Sequence, residues 1–376
     1  MSDGVQSSRL PPASTIDLRS PAIAADPLPH YETLRRDGPV HFLSRHDAWI
    51  VLGYDEVRAA FSRPEQFSTQ PHERVDAVLL GAAQEEHAPI HRIVSSHFSV
   101  DALQMLTAVA EERAASLLEP ELDIVAGLAQ PLSDAVAARL LGFDADAADA
   151  IRQARIEARD LVPFTRALDA IAHRAAMYRL LMEAGISARD AASLVRLLWL
   201  AGTIATVRII SSSVLRLLRD QSLRRAIEHD HSLIPAFIEE VLRLDPPEHF
   251  FPRVTTERVE LGGVEIPAGE TVFLCLAAAN RDPEKYEASG ELRLDRLNTR
   301  HLTFGHGLHH CIGATLARQE VAIAIRTLLT RAPRFAAAEP LDSLGYHSTM
   351  SARVLKRLLV HTDVDQASGR LARASK

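Results

Sequence analysis

The sequence predicts a mainly α-helical protein with small β-sheets. Helical pattern runs through residues 101–218 with only short breaks, such as those near Pro120 and Pro163. Alanine, leucine and arginine are abundant and aromatic residues make up only 5%, a composition that favours helices. Short apolar runs around residues 39–52 and 254–273 provide the strands. We interpret the chain as a flexible lead-in at 1–25, a single domain at 26–362 and a C-terminal tail at 363–376.

Composition narrows the class of protein. A net charge of −7 argues against a nucleic-acid partner, which usually requires a basic surface. Two cysteines cannot form a disulfide framework, so we expect a reducing, cytoplasmic environment. The first residues contain no apolar run, and we therefore expect neither a signal peptide nor a membrane anchor. We expect a soluble monomer.

The first elements follow from local pattern. A short helix is predicted from Pro29 to Arg36, followed by a β-hairpin over residues 39–43 and 48–52. Tyr54–Phe61 has an acidic first turn typical of a helix start. A further helix is predicted over His87–Phe98. The segment from Leu194 to Arg219 is long, apolar and free of proline, which predicts a central helix, and Ser187 is suited to cap a helix start nearby.

The chemistry is concentrated in a glycine-rich loop, Phe304-Gly305-His306-Gly307-Leu308-His309-His310-Cys311-Ile312-Gly313. The glycines at 305, 307 and 313 allow the backbone to take positive φ and let a flat ligand approach closely. A helix is predicted from Ala314, and its N-terminal dipole would favour a Cys311 thiolate, the form that binds metal. A lone cysteine also occurs as a small core residue, which is our interpretation of Cys275.

This loop resembles the haem-binding loop of the cytochromes P450, and weaker motifs in the same order extend the resemblance over residues 20 to 361. It implies the P450 fold and haem b (iron protoporphyrin IX), with Cys311 as the axial metal ligand. Phe304, Gly305 and Gly313 would lie beside the haem, and Ala201 of an Ala201-Gly202 pair would lie flat against it. The resemblance also implies propionate contacts from His87, Arg253, His301 and His309. Whether His91 or Arg92 occupies the family's second position on the helix of His87 stays open, because neighbouring helical residues point about 100° apart.

A structural triad is also implied. Glu240 and Arg243 are three residues apart on one helical face, and such a pair is expected to be buried. In the family these residues join an arginine that precedes the cysteine loop, which we assign to Arg296. The triad would hold the loop of Cys311 in place.

The central helix departs from the family pattern. The typical run is Ala-Gly-x-acid-Thr, whose acid and alcohol help deliver protons to dioxygen. Here Ile204 replaces the acid and Ala205 the threonine, and neither side chain can carry a proton. Thr206 is one position further on and is expected to face elsewhere, whereas Arg208 follows Ile204 by one turn on the same side. We expect His249 and Phe251 near the substrate.

Three interpretations of the reaction remain. The first is a monooxygenase of specialised metabolism that acts on a small molecule, with protons supplied through water or the substrate. The second is an atypical P450 reaction: radical coupling, desaturation, rearrangement or peroxide-driven oxidation. The third is a non-catalytic haem-binding protein. Because no flavin or ferredoxin module follows the domain, we expect electrons from a separate ferredoxin and ferredoxin reductase, docking near Arg92, Arg300 and Arg318.

Overall fold

The computed structural model describes residues 16–69, 84–157 and 161–364, and α-helices dominate it. The mainly α-helical fold class with small sheets is confirmed. The helices are α1 (Pro21–Ala25), α2 (Leu28–Asp37), α3 (Tyr54–Phe61), α4 (Gln84–Ser96), α5 (Val100–Ser116), α6 (Gln130–Leu141), α7 (Ala145–Glu157), α8 (Leu161–Ile171), α9 (Ala176–Glu183), α10 (Ala188–Arg219), α11 (Gln221–His229), α12 (Ile234–Leu244), α13 (Leu276–Ala279) and α14 (Ala314–Arg331).

The strands are short, between two and six residues each. They are β1 (Val40–Leu43), β2 (Ala48–Val51), β3 (Phe67–Ser68), β4 (Glu121–Asp123), β5 (Phe250–Thr255), β6 (Val259–Leu261), β7 (Val264–Ile266), β8 (Thr271–Cys275), β9 (Ala336–Ala337), β10 (Tyr346–Ser348), β11 (Arg353–Leu355) and β12 (Leu359–His361).

The chain divides into two compact units. The first unit falls within residues 1–73, 242–311 and 348–353 and contains the sheet β1-β2-β8-β5-β3. The predicted hairpin is present, with Val40 opposite Val51 and Leu43 opposite Ala48. A second hairpin, β6–β7, turns at Gly262 and Gly263, which both have positive φ as a tight hairpin turn requires. The interpretation of residues 26–362 as one domain stays a prediction.

The second unit falls within residues 74–241, 312–347 and 354–376, and a bundle of four helices organises it. Helix α5 packs against α6 and α14, and α10 packs against the same two helices. Trp199 of α10 is 1% exposed and packs edge-on against Phe143, within a cluster that α8 and α9 also join. The strands β4, β12 and β9 form a small antiparallel sheet in this unit.

Helix α10 is the 32-residue central helix. It begins at Ala188, earlier than the predicted Leu194, because Ser187 caps it by accepting a hydrogen bond from the Asp190 amide at 3.1 Å. Within the described residues, α10 and the stretch Ile124–Leu141 are long and apolar enough to span a membrane, but half or more of each 18-residue window is buried in the protein. Core packing therefore accounts for their apolar character.

The described part of the lead-in and the region before α10 both contain regular secondary structure. Within the described part of the lead-in, Pro21–Ala25 forms α1, and Leu18 is 1% exposed because it packs into the core of the first unit. In the described part of the chain between α7 and α10, the elements are the 11-residue α8, a 3₁₀ turn and the 8-residue α9.

Candidate cofactor site

The loop that carries Cys311 is closed by two backbone hydrogen bonds in the first unit. The amide of Cys311 donates to the carbonyl oxygen of Phe304 at 2.8 Å, and the amide of Gly305 donates to that of Leu302 at 2.8 Å. A 3₁₀ turn at Gly307–His309 brings the chain round to the cysteine. These bonds hold the Cys311 backbone in a defined position without covering its side chain.

The two cysteines differ sharply in their surroundings. Cys311 is exposed, whereas Cys275 is 0% exposed and burial raises its thiol pKa to about 12. A buried thiol with a raised pKa is inert, while an exposed thiol can ionise and bind a metal. Cys275 is therefore a core residue, as predicted, and Cys311 is the cysteine available for ligation.

Two of the three loop glycines have positive φ. Gly305 and Gly307 have φ values of +72° and +73°. A Cβ on Gly307 would lie 2.8 Å from the carbonyl oxygen of Phe61, so the close approach to α3 also requires glycine here. Gly313 is the N-cap residue of α14 and has a φ of −86°, so it does not use the freedom that glycine allows.

Arg243 and Arg296, two members of the predicted triad, converge on the segment that precedes the loop. Arg243 is 0% exposed and donates to the carbonyl oxygens of Asn280, Ser289 and Glu291 at 2.9, 2.6 and 2.8 Å. Arg296 donates to the carbonyl of Glu291 as well, at 3.2 Å. Glu240 lies one turn before Arg243 on α12 and is 1% exposed. Arg243 and Glu240 are thus both buried, as the sequence led us to expect for this pair. The triad itself stays a prediction.

Asn280 and Thr303 form a second tie to the loop that the sequence did not reveal. The Thr303 hydroxyl donates to the carbonyl of Leu242 at 2.7 Å and accepts from the Asn280 amide group at 2.9 Å. Asn280 Oδ1 in turn accepts from the backbone of Leu302 at 2.8 Å. Both side chains are buried. The one signal in the sequence is the polar Asn280 directly after an apolar run.

Arg253 is a buried cation without an acidic partner among the described residues. Its side chain donates to the carbonyl of Pro252 at 2.8 Å and lies over the ring of Phe61 at 5.2 Å. It is 9% exposed, and burial lowers its pKa to about 10. Because burying an uncompensated charge is unfavourable, this guanidinium is suited to an anionic ligand group such as a propionate.

His301 has one defined tautomer when neutral. Its Nδ1 accepts a hydrogen bond from the Thr303 amide at 3.3 Å, so the ring proton is on Nε2, which is the atom able to donate to a carboxylate. The ring lies 5.8 Å from that of Phe304. His309 is partly buried at the end of the 3₁₀ turn. Both histidines therefore remain suitable for the predicted propionate contacts.

The predicted residues before α5 lie on α4 of the second unit. The side chain of His87 is outside the described residues, although its position falls within α4. His91 is partly buried and Arg92 is exposed. Of the arginines suggested for partner docking, Arg300 is exposed, whereas Arg318 forms a two-point ion pair with Glu239 at 2.6 and 2.9 Å. Its charge is therefore already compensated.

One face of α10 is accessible over its middle turns. Ala201 is exposed, and Ile204, Ala205 and Arg208 are partly exposed, while Thr203, Thr206 and Val207 are buried. A Cβ on Gly202 would meet no atom within 4 Å, so protein packing does not require glycine at this position. This accessible face, formed by Ala201, Ile204, Ala205 and Arg208, is where a flat ligand can approach the helix.

The two threonines of this segment belong to the buried face. Thr203 is 0% exposed and donates to the carbonyl of Trp199 at 2.9 Å. Thr206 is 2% exposed and donates to that of Gly202 at 2.8 Å. The Thr206 hydroxyl therefore does not replace the alcohol missing at Ala205, and the accessible face carries neither the acid nor the alcohol of the family pattern.

The two residues predicted to contact substrate point to different neighbours in the first unit. The His249 ring packs edge-on against Tyr31, with centroids 6.2 Å apart. Phe251 packs edge-on against Phe61 at 6.4 Å, on the same side of β5 as Arg253. Their part in substrate binding stays a prediction.

The donor set fits a metal brought by a cofactor. Over the described ranges, no cluster of three or more His, Cys, Asp or Glu side chains could hold a metal ion by itself. The first unit instead offers one exposed thiol, a loop with two positive-φ glycines, and a buried arginine suited to a carboxylate. These are the requirements of a haem with a single thiolate ligand.

Comparison with known proteins agrees with this chemistry. A family model described as cytochrome P450 matches residues 212–332. The cytochrome P450 monooxygenase PikC of Streptomyces venezuelae is 30% identical over 96% of this chain and 97% of its own length. Vitamin D(3) 25-hydroxylase of Pseudonocardia autotrophica is 31% identical, covering 92% of this chain and 96% of its own.

Solved structures show the same fold. Substrate-free CYP150A6 of Mycobacterium marinum matches 93% of this chain and 98% of its own with a TM-score of 0.83 and 26% identity. P450BioI, solved with an acyl carrier protein carrying hexadec-9Z-enoic acid, matches 91% of this chain and 100% of its own with a TM-score of 0.80 and 27% identity. The protein is a haem-dependent oxidoreductase by fold and site. The chain belongs to the cytochrome P450 family.

Membership settles the cofactor and the general activity. The protein uses haem b and oxidises a small-molecule substrate, as bacterial P450 monooxygenases do. P450s of this kind generally receive electrons from redox partners.

Proposed function

We propose that Cys311 is the axial ligand of the haem iron and that the first unit holds the ring by its carboxylates. A thiolate-ligated haem supplies the oxidising chemistry, since the thiolate favours O–O cleavage. The assignment rests on the exposure of Cys311, in contrast to Cys275, which is buried. Arg253, His301 and His309 would bind the propionates, and Phe304 and Gly305 would lie beside the ring.

On α4 we propose that His87 and His91 contribute further propionate contacts. His91 is preferred to Arg92 because it is partly buried, whereas Arg92 is exposed. Charge-assisted hydrogen bonds of this kind fix the orientation of a planar ligand. Glu240, Arg243 and Arg296 act only by holding the cysteine loop.

We propose a monooxygenase in which water or a substrate hydroxyl carries protons past Ile204 and Ala205. The accessible face of α10 supports this proposal, because Ile204 and Ala205 lie on it and neither can exchange a proton. Thr206 is committed to the carbonyl of Gly202. The small Ala201 and Gly202 leave space at the helix surface for the ring and for dioxygen.

We propose a substrate from specialised metabolism, with His249 and Phe251 among its contacts. Relatives include 6-deoxyerythronolide B hydroxylase of Saccharopolyspora erythraea, 29% identical over 92% of this chain. We further propose a cytoplasmic monomer that receives electrons from a separate ferredoxin and ferredoxin reductase. The compensated charge of Arg318 removes it from the proposed docking residues, leaving Arg92 and Arg300.

An atypical reaction, such as peroxide-driven oxidation, is the second candidate because the same face lacks the acid and the alcohol. Turnover separates the two. The haem-loaded protein is supplied with surrogate ferredoxin and reductase, or with peroxide alone, on a panel of small molecules. Product from the ferredoxin route, with little from peroxide, is the result expected for the monooxygenase. Product from peroxide alone supports the atypical reaction, and no product by either route supports a non-catalytic protein.

The variant Ile204→Glu/Ala205→Thr restores the family's acid and alcohol and tests the proton path. If proton delivery limits the wild-type enzyme, the variant forms more product per electron consumed. An unchanged yield and rate would contradict a limit at this step. Thr203→Val, a change on the buried face of α10, serves as the matched control.

A further inference from the structure

The buried carboxyl group of Glu320 has no role in the site described above. Glu320 lies on α14, the helix that the chain enters three residues after Cys311, and it is 2% exposed. The nearest charged residue of its own helix, Arg318, is bound to Glu239. No cation among the described residues pairs with Glu320. A carboxylate left alone in such a place would be strongly unfavourable, so the group is held as a neutral acid.

Ser133 of α6 is the polar group that Glu320 meets. It is 1% exposed, and its hydroxyl is the only described side chain that acts on the Glu320 carboxyl. Glu320 Oε2 and Ser133 Oγ are both buried, and neither has a hydrogen-bond partner within the described residues. Two buried polar groups with no alternative satisfy each other directly or through one bridging water.

Glu320 and Ser133 lie on two different helices of the four-helix bundle. Helices α6 and α14 each pack against α5 and α10, so they lie diagonally across the four-helix bundle. Glu320 and Ser133 therefore belong to helices at opposite corners of the bundle, and both side chains are buried. Around Glu320, the buried residues of α14 are aliphatic: Leu316, Val321, Ile323 and Ala324.

Charged residues of the packed elements do not alter this arrangement. Burial raises the pKa of Glu320 well above its usual range, and the Ser133 hydroxyl lowers it in part. Asp134, beside Ser133, is bound to Arg155 and Gln130. The other charged residues on the middle turns of the neighbouring helices are Glu111, Glu112, Arg113, Arg139 and Arg208, and none of them contributes to the pKa of Glu320.

We propose that Glu320 is a positioning residue for the haem thiolate: as a neutral acid bound to Ser133 it fixes α14, the helix that directly follows Cys311. This inference rests on the proposed ligation of iron by Cys311. Ionisation of Glu320 places a charge among the buried side chains of the bundle and loosens α14, whose first residue follows Cys311 by three positions in the chain.

The test follows the carbon monoxide difference spectrum of the reduced, haem-loaded protein from about pH 6 to about pH 10, together with thermal unfolding of the same samples. The wild type is expected to lose its thiolate-type band and unfold at lower temperature as the pH rises. Glu320→Gln keeps the shape of the side chain but cannot ionise. In this variant the loss of the thiolate-type band and the fall in unfolding temperature should therefore occur at a pH at least about one unit higher than in the wild type. Glu112→Gln, which removes an exposed charge on α5, controls for net charge and should follow the wild type.

A double-mutant cycle tests the contact itself. Ser133→Ala and Glu320→Gln should have non-additive effects on the unfolding temperature, because each removes the same interaction. An alkaline profile of Glu320→Gln identical to that of the wild type, or strictly additive effects, would overturn the proposal. If the wild type shows no thiolate-type band at any pH, the ligation by Cys311 fails instead, and the unfolding data still decide whether Glu320 and Ser133 interact.

Discussion

Arg243 and Arg296 donate to the same carbonyl oxygen, that of Glu291, at 2.8 and 3.2 Å. Both guanidinium groups also lie over the ring of Tyr286, at 5.0 and 5.8 Å from its centroid. Two cations brought to one peptide group fix the segment that leads to the cysteine loop. The order of the loop therefore depends on residues on α12 and before the loop as well as on its own glycines.

Removing Arg243 should strongly destabilise the protein. Arg243→Ala leaves the carbonyls of Asn280, Ser289 and Glu291 without this donor, and one lost buried partner costs about 1–3 kcal/mol. We expect a loss of about 3–5 kcal/mol in the free energy of unfolding, measured by urea titration. Arg293→Ala breaks a surface ion pair with Asp295, and solvent screens such a pair, so this variant should lose far less stability than Arg243→Ala. Equal effects of the two variants would contradict the structural role of Arg243.

Gly307 of the cysteine loop can be compared with Gly263 of the β6–β7 turn, which serves as a control. Both have positive φ, +73° and +75°, but a Cβ meets the Phe61 carbonyl oxygen at 2.8 Å only at Gly307, and no atom within 4 Å at Gly263. Gly263→Ala should cost only the backbone strain, about 1–2 kcal/mol. Gly307→Ala must also move the loop or α3, so it should cost more and reduce the haem content. A Gly307→Ala protein as stable and as haem-rich as Gly263→Ala would show that the loop does not need this approach.

Gly202→Ala should separate the stability of the helix from the binding of the cofactor. The added methyl group meets nothing in the protein, and alanine favours a helix over glycine by about 0.5–1 kcal/mol, so the haem-free protein should become more stable. If the ring lies on this face of α10, the same methyl group should weaken haem binding. Haem titration and thermal unfolding of the haem-free protein measure the two effects. Unchanged haem affinity would place the ring elsewhere.

Replacing Arg253 should raise the stability of the haem-free protein but lower the affinity for haem. Burial lowers the pKa of Arg253 from its usual value to about 10, so the charged form destabilises the folded protein at every pH below about 10. Stability is regained only as the pH rises above that value. Replacing Arg253 by methionine should stabilise the haem-free protein near neutral pH by about 1–3 kcal/mol. The same variant should bind haem more weakly, because the propionate partner is gone. Loss of stability in the haem-free Arg253→Met protein would show that the arginine is already compensated.

Local patterns predicted much of this structure. The hairpin at β1–β2, the start of α3 and the cap at Ser187 each follow from a few neighbouring residues. The hydrogen bond between Asn280 and Thr303 and the burial of Glu320 with Ser133 could not be predicted, because each brings together residues far apart in the chain and neither leaves a periodic signal. Gly305 and Gly307 use the positive φ that glycine allows, whereas Gly313 does not. Backbone conformation at a helix start depends on the cap, which the residue type alone does not specify.

The most direct test of Cys311 as the haem ligand is the carbon monoxide difference spectrum of the reduced protein, compared with that of Cys311→Ala. The wild type should show the thiolate-type band, and the variant should lose it, whether or not haem is retained. Cys275→Ala, at the buried cysteine, should keep the band and serves as the control. A Cys311→Ala protein that retains haem with an unchanged thiolate-type spectrum would contradict ligation by Cys311.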